Sequence, residues 1–140
     1  MDHYVEGSTR AKIWYLSACA AVVLALVLVN IYFPYPKSID SVSSIEATAQ
    51  RHLVIALLFT VFLVPYTIRF VNLARLSVRQ GQWPPSGIAM PFRTRVVSVA
   101  RPAKVYILTA IVIAVPWLAT AVEFYAWYTF SQMAQLAHAT

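Results

Sequence analysis

The chain is poor in the residues on which most catalytic sites depend. It has one cysteine, three glycines and three histidines in 140 residues, and only 11% of its residues are charged. A single cysteine excludes an internal disulfide, and three scattered glycines argue against a loop that cradles a nucleotide phosphate. The histidines are dispersed, with no pair at the spacing of one helix face. We therefore expect no catalytic residues, no cofactor and no metal.

Hydrophobic residues make up 60% of the chain and lie mainly in three stretches: Ile13–Phe33, Leu53–Ile68 and Val105–Phe130. A helix needs roughly 20 apolar residues to cross the ~30 Å hydrocarbon layer of a membrane. The second stretch is shorter, but Arg51 and Arg69 can extend their charged ends outward from it. The composition predicts an all-α membrane protein, a single integral domain over residues 1–140 with three transmembrane helices in a small bundle. The spans are predicted at about 13–33, 50–73 and 104–130.

The ends of the spans carry helix stop and start signals. Pro34 and Pro36 predict the end of helix one, because proline has no amide donor. Ser43 and Glu46 have capping-box spacing, which predicts the start of helix two near Ser44. Leu16–Cys19 resembles a lipoprotein cleavage box, but the apolar stretch continues well past it. The first span is therefore expected to be an uncleaved anchor.

Three further expectations concern local structure. Helix two is expected to continue to about Gln80 as a basic, partly amphipathic helix at the inner surface. Residues 92–99 alternate weakly and predict a short strand, whereas Met1–Lys12 is polar and expected to be loosely ordered. Small residues at four-residue spacing predict packing faces: Ser17, Ala21 and Ala25 in helix one, Ala56 and Thr60 in helix two, Ala110 and Ala114 in helix three.

Positive charge is concentrated between the second and third spans. Seven of the eleven Lys and Arg residues lie there, and two more precede the first span. In a soluble protein a formal charge of +6 would suggest nucleic acid. Because short cytoplasmic loops of membrane proteins collect such residues, the distribution instead predicts that the N-terminus lies inside and the C-terminus outside, with no nucleic-acid partner.

The outer ends of the spans bring four polar residues to a similar height: Asn30, Arg51, His52 and Glu123. Glu123, the one acid within an apolar span, lies about 27 Å along its helix from Val105. We predict that Arg51 or His52 contacts Glu123. A purely structural pair is one interpretation. Binding of a quinone headgroup, a lipid headgroup or a proton in transit is the other.

The predicted loop at 74–103 and its flanks form the basic side of the chain. Their cations can simply hold the loop inside, or can attract anionic lipid headgroups of the inner leaflet. A role in partner docking, through Trp83–Pro85 and Arg93–Arg95, is the alternative. The candidate residues are Arg69, Arg75, Arg79, Trp83, Arg93, Arg95, Arg101 and Lys104.

The run Gly-Gln-Trp-Pro-Pro-Ser-Gly at 81–87, followed by Arg-Thr-Arg at 93–95, resembles a pattern in small uncharacterised inner-membrane proteins of proteobacteria. In those proteins an aromatic-Pro-Pro-x-Gly run lies between two membrane helices. The similarity covers about twenty residues, and Trp83 stands where phenylalanine is expected. The resemblance implies a bacterial inner-membrane location and brings no activity with it.

These features favour an accessory, assembly or interaction subunit of a membrane complex, with no catalysis of its own. The expected partners are membrane lipids and either other membrane subunits or further copies of the chain. A small proton- or ion-translocating component, or a quinone- or lipid-binding one that uses Glu123, is the first alternative. A membrane protein that gives immunity to a toxin is the second.

Overall fold

Three long helices dominate the computed structural model, which describes residues 4–139. They are α1 (Thr9–Tyr32), α2 (Val42–Gln80) and α3 (Pro102–Ala139). Each contains a window of mean hydropathy 2.1 to 2.2 and is long enough to cross a bilayer. At ~1.5 Å per residue, α2 and α3 are each almost 60 Å long, about twice the thickness of the hydrocarbon layer. The predicted all-helical fold with three potential membrane spans is confirmed.

Helix α2 begins with a different cap from the one predicted. The amide of Ser44 donates to the Ser41 hydroxyl at 3.3 Å, and the amide of Ser41 donates to the Ser44 hydroxyl at 3.2 Å. Ser41 is therefore the N-cap, and Ser44 takes the reciprocal role that a capping box gives to a carboxylate. The predicted box of Ser43 and Glu46 is wrong, and the Glu46 carboxylate bonds to His138 instead.

The other helix ends are set by backbone chemistry. Helix α1 ends at Tyr32, two residues before Pro34, as predicted. Helix α2 continues to Gln80, also as predicted, and Gly81 follows it with a φ of 66° that favours glycine. Helix α3 extends well past the predicted end at residue 130. Residues 131–139 lack proline and glycine, so the helix continues where the strongly apolar run stops.

The chain divides into two compact units, and each is described by itself. We call residues Met1–Ala21 and Pro65–Ala114 the basic unit, and residues Val22–Val64 and Val115–Thr140 the junction unit. The basic unit has nine Lys or Arg residues against two Asp or Glu, a formal charge of +7. The junction unit has two against three, a formal charge of −1.

Two small antiparallel strand pairs occur in the basic unit. β1 (Tyr4–Val5) pairs with β3 (Thr94–Arg95), and β2 (Gln82–Trp83) pairs with β4 (Val97–Ser98). The weak alternation over 92–99 therefore corresponds to two short strands rather than one. The expectation of a loosely ordered N-terminal segment is wrong from residue 4 onward, because its backbone groups bond to the loop. Residues 1–3 of that segment lie outside the described residues.

Small side chains are the most deeply buried in the helices. Thr48, Ala56, Ala74 and Ser77 of α2 are at most 1% exposed. The prediction that small residues form the packing faces is correct for Ala56, which is buried. It is wrong for the two alanines predicted in α3 and for Ser17 and Ala21 of α1, which are exposed. Four-residue spacing alone does not choose the buried face, since alanine is common on every side of an apolar helix.

Candidate functional site

The polar residues of the junction unit meet where α1 ends and α2 begins. Pro34 and Pro36 keep the chain out of a helix after Tyr32, and Ser41 starts the next helix about ten residues later. The short connection returns α2 alongside the last turn of α1. This brings the carbonyl groups at the end of α1 within reach of a long side chain on α2.

Arg51 is that side chain, and it is 94% shielded from solvent. Its Nη1 donates to the backbone carbonyl of Phe33, and its Nη2 donates to Oδ1 of Asn30 at 2.8 Å. Asn30 in turn donates to the Leu26 carbonyl at 2.9 Å. The guanidinium also lies over the ring of Tyr35, 4.3 Å from its centre.

No carboxylate pairs with Arg51 among the described residues. The end of α1 supplies the compensating charge, because the last carbonyl groups of a helix carry roughly half a negative elementary charge. Two hydrogen bonds and an aromatic face complete the surroundings of the cation. Nε of Arg51 is buried and has no hydrogen-bond partner among residues 4–139.

The next residue on α2, His52, connects to α3. Its Nδ1 is 2.7 Å from Oε2 of Glu123, and the two side chains are 13% and 25% exposed. Its Nε2 is 3.3 Å from the hydroxyl of Tyr35. The imidazole stacks on Phe130 with a centroid distance of 5.7 Å and an interplanar angle of 3°. When Nδ1 donates to Glu123, the Nε2 of a neutral imidazole accepts the bond from Tyr35.

These two neighbouring side chains form what we call the Arg51–His52 junction. Arg51 fastens the end of α1 to α2, and His52 fastens α2 to α3. The four predicted residues form two hydrogen-bonded pairs: Arg51 with Asn30, and His52 with Glu123. The predicted contact to Glu123 is made by His52, whereas Arg51 bonds elsewhere.

Sequence reasoning missed three parts of the junction: Tyr35, Phe130 and the carbonyl of Phe33. The identity of an aromatic residue does not indicate whether it contacts a particular imidazole. The carbonyl belongs to the backbone, so the identity of residue 33 does not indicate that it accepts a hydrogen bond from Arg51. The proline after it does predict a helix end with unsatisfied acceptors, and that is the one clue the sequence offers.

A second histidine–carboxylate pair also joins α2 to α3 in the junction unit. Nε2 of His138 lies 2.9 Å from Oε1 of Glu46, and the side chains are 62% and 49% exposed. Neither residue belonged to the predicted cluster. Their spacing of 92 positions along the chain gives no sequence signal for the contact.

The Lys and Arg residues of the basic unit are exposed, and three of them, Lys12, Arg69 and Arg93, lie over aromatic rings. Arg69 lies over Trp14 at 5.1 Å, and Arg93 lies over Tyr4 at 4.5 Å while also pairing with Glu6 at 3.3 Å. The remaining predicted cations of this side are exposed as well: Arg75, Arg79, Arg95, Arg101 and Lys104.

The Trp83–Pro85 segment is less available to a partner than the sequence suggests. Pro84 and Pro85 are less than 2% exposed, and Trp83 is half-buried in the β2–β4 pair. The peptide bond between Trp83 and Pro84 is cis. Any docking through this loop therefore falls to its exposed residues, such as Arg93, rather than to the proline rings.

Within residues 4–139, no group of three or more His, Cys, Asp or Glu side chains could hold a metal ion. The junction can transfer or share a proton along Tyr35, His52 and Glu123, and it can hold helices together. No protein-family model, curated protein or solved structure matches this chain.

Proposed function

We propose that this small integral membrane protein acts as an accessory, assembly or interaction subunit of a membrane complex, without catalysis of its own. The observation that supports this most is how the junction uses its polar groups. Arg51, His52 and Glu123 each bond to another helix or its end, which supports a structural role for them. Much of the remaining helix surface is exposed and apolar, as lipid or a membrane partner requires.

We further propose a bacterial inner-membrane location with the N-terminus in the cytoplasm and the C-terminus in the periplasm. The charges support this orientation, because all nine Lys and Arg residues predicted to lie inside belong to the basic unit. On this arrangement the basic unit contacts the anionic headgroups of the inner leaflet. The partner proteins are other membrane subunits or further copies of the chain.

Two measurements test these proposals. Extraction in a mild detergent followed by mass determination should find the chain in a larger species, whereas a lone chain contradicts an interaction role. Reporter fusions at each end test the orientation independently. A phosphatase that works only in the periplasm should be active at the C-terminus and inactive at the N-terminus.

Proton transfer is the second candidate function, and the chain of Tyr35, His52 and Glu123 favours it. Partly buried ionisable residues within a span are candidates for such a role. Glu123→Gln removes the acid but keeps a hydrogen-bonding group beside His52. In proteoliposomes, a proton carrier should lose its flux with this variant, while an accessory subunit should keep its assembly with partners. The matched control is Glu46→Gln, which alters the exposed pair.

A further inference from the structure

An open groove of about 410 Å³ lies in the basic unit, outside the junction. Its walls are mainly apolar and come from one face of α2 and from the loop that follows the helix. The apolar lining residues are Pro65, Ile68, Leu73, Leu76 and Ile88. From Pro65 to Leu76 the groove runs for about 16 Å along the helix.

Two polar residues interrupt this apolar lining: Arg69 and Asn72. They are one turn apart on α2, so their side chains lie on the same side of the helix. Both are exposed. Arg69 lies over the Trp14 ring at 5.1 Å. Stacking uses the face of the guanidinium and leaves its N–H edges for a phosphate, which arginine binds through two parallel hydrogen bonds.

Charge selects the kind of ligand. Glu6 is the one acid of the basic unit within the described residues, and it pairs with Arg93 at 3.3 Å rather than with Arg69. The formal charge of +7 on this unit favours an anion over a neutral or cationic ligand.

We propose that this groove binds one anionic glycerophospholipid, with its phosphate on Arg69 and Asn72. One acyl chain then lies along Pro65 and Ile68, and Leu76 and Ile88 close the end beside the headgroup. The charge of the unit favours an anionic lipid over an apolar partner helix, and the apolar residues beside Arg69 provide a surface for its acyl chain. The site rests on the membrane location proposed above and adds a lipid class and a position to it.

The test uses the full chain in mild detergent with phosphatidylglycerol or phosphatidylcholine of identical acyl chains. Native mass spectrometry counts the lipids that remain bound. We expect one phosphatidylglycerol to be retained and phosphatidylcholine to be lost. Arg69→Gln should lower the retained fraction about tenfold, because a charge-assisted bidentate contact is lost.

The matched comparison is Arg75→Gln, which removes an exposed arginine of α2 that does not line the groove; it should lower retention much less than Arg69→Gln does. Ile88→Trp should expel the lipid while keeping Arg69. Equal loss with Arg69→Gln and Arg75→Gln would mean diffuse attraction and overturn the proposal. Equal retention of phosphatidylcholine would do the same, since it would indicate ordinary surrounding lipid.

Inorganic phosphate separates the two sources of the anion. It should not displace the lipid at equal concentration, because the groove also binds the acyl chain. Displacement would show a simple anion site and overturn the lipid proposal. If Arg69→Gln does not give a folded protein, Arg69→Lys and Ile88→Trp decide the question. A chain that proves to have no protein partner contradicts the accessory role but leaves this lipid count unaffected.

Discussion

Helix α2 has an arginine near each end of its apolar stretch. The two arginines lie in different units and differ in burial and in the groups that they contact. In the junction unit Arg51 is 6% exposed and bonds to a helix end and an amide. In the basic unit Arg69 is exposed and lies over Trp14. The first cation holds two helices together. The second presents its charge to the surroundings.

The contrast teaches that the number of charges in a unit does not indicate their structural role. The basic unit has nine cations, most of them exposed, whose removal one at a time should cost little stability. The junction unit has only two cations, yet one of them, Arg51, is buried and donates hydrogen bonds to Phe33 and Asn30. Substitutions in the junction should therefore affect folding, and those in the basic unit should affect binding and orientation.

Arg51→Met should have the largest effect on stability. It leaves the Phe33 carbonyl and Asn30 without their donor and removes the charge–dipole contact at the end of α1, which together should cost about 3 kcal/mol. Thermal unfolding in detergent measures the change. Arg69→Met is the matched control and should cost less than about 1 kcal/mol. Equal losses for the two variants would remove the contrast between the units.

The bond between His52 and Glu123 should contribute the next largest effect. A double-mutant cycle of His52→Gln and Glu123→Gln should give a coupling of about 1 kcal/mol, the usual size for hydrogen bonds between membrane helices. The control cycle combines Glu123→Gln with His138→Gln, two residues that bond to different partners. A coupling there as large as in the first cycle would mean that the variants act through general loosening rather than through this bond.

The sequence was sufficient for the number and approximate positions of the helices and for the presence of a basic partner beside Glu123. Apolar length defined α1, α2 and α3, and Pro34 defined one end. The heights of Arg51, His52 and Glu123 along their helices predicted that one of the first two contacts Glu123, without choosing between them. Each of these depends on periodicity, on helix rise or on a residue that cannot continue a helix. Such quantities can be read from residue order alone.

The remaining features depend on backbone groups and on faces that residue order does not define. Arg51 donates to the backbone carbonyl of Phe33 rather than to the carboxylate of Glu123. The end of a helix has free carbonyl acceptors whatever its side chains are, so residue order does not reveal this contact. The burial of Pro84 and Pro85 beside the β2–β4 pair also has no signal in residue order, because that pairing joins short segments with weak alternation. The prediction of Ser43 as the N-cap was wrong because Ser41, two residues earlier, has the same hydroxyl group and caps the helix instead.

The corrected cap gives a smaller, local effect at the start of α2. Ser41→Ala should destabilise the protein by about 1 kcal/mol, because the first turn of the helix loses the hydroxyl that accepts from Ser44. Ser43→Ala should stay within about 0.5 kcal/mol, since its hydroxyl bonds only to that of Ser41 among the described contacts. Hydrogen exchange of the amides at 42–45 reports the loss directly. The reverse order of the two variants would restore the predicted capping box.

The pair of His138 and Glu46 separates the effect of burial from the effect of the unit in which a contact lies. It belongs to the junction unit, but it is exposed, as is the pair of Arg93 and Glu6 in the basic unit. If burial rather than membership of a unit determines the effect of a contact, His138→Gln should cost no more than about 0.5 kcal/mol, as Arg93→Gln should. Both small effects should disappear in high salt, whereas the loss caused by Arg51→Met should persist, since buried groups are screened much less. Thermal unfolding of the three variants at low and high salt makes the comparison. A large, salt-resistant loss for His138→Gln would show that the end of α3 is held by this pair and that exposure is not the governing variable.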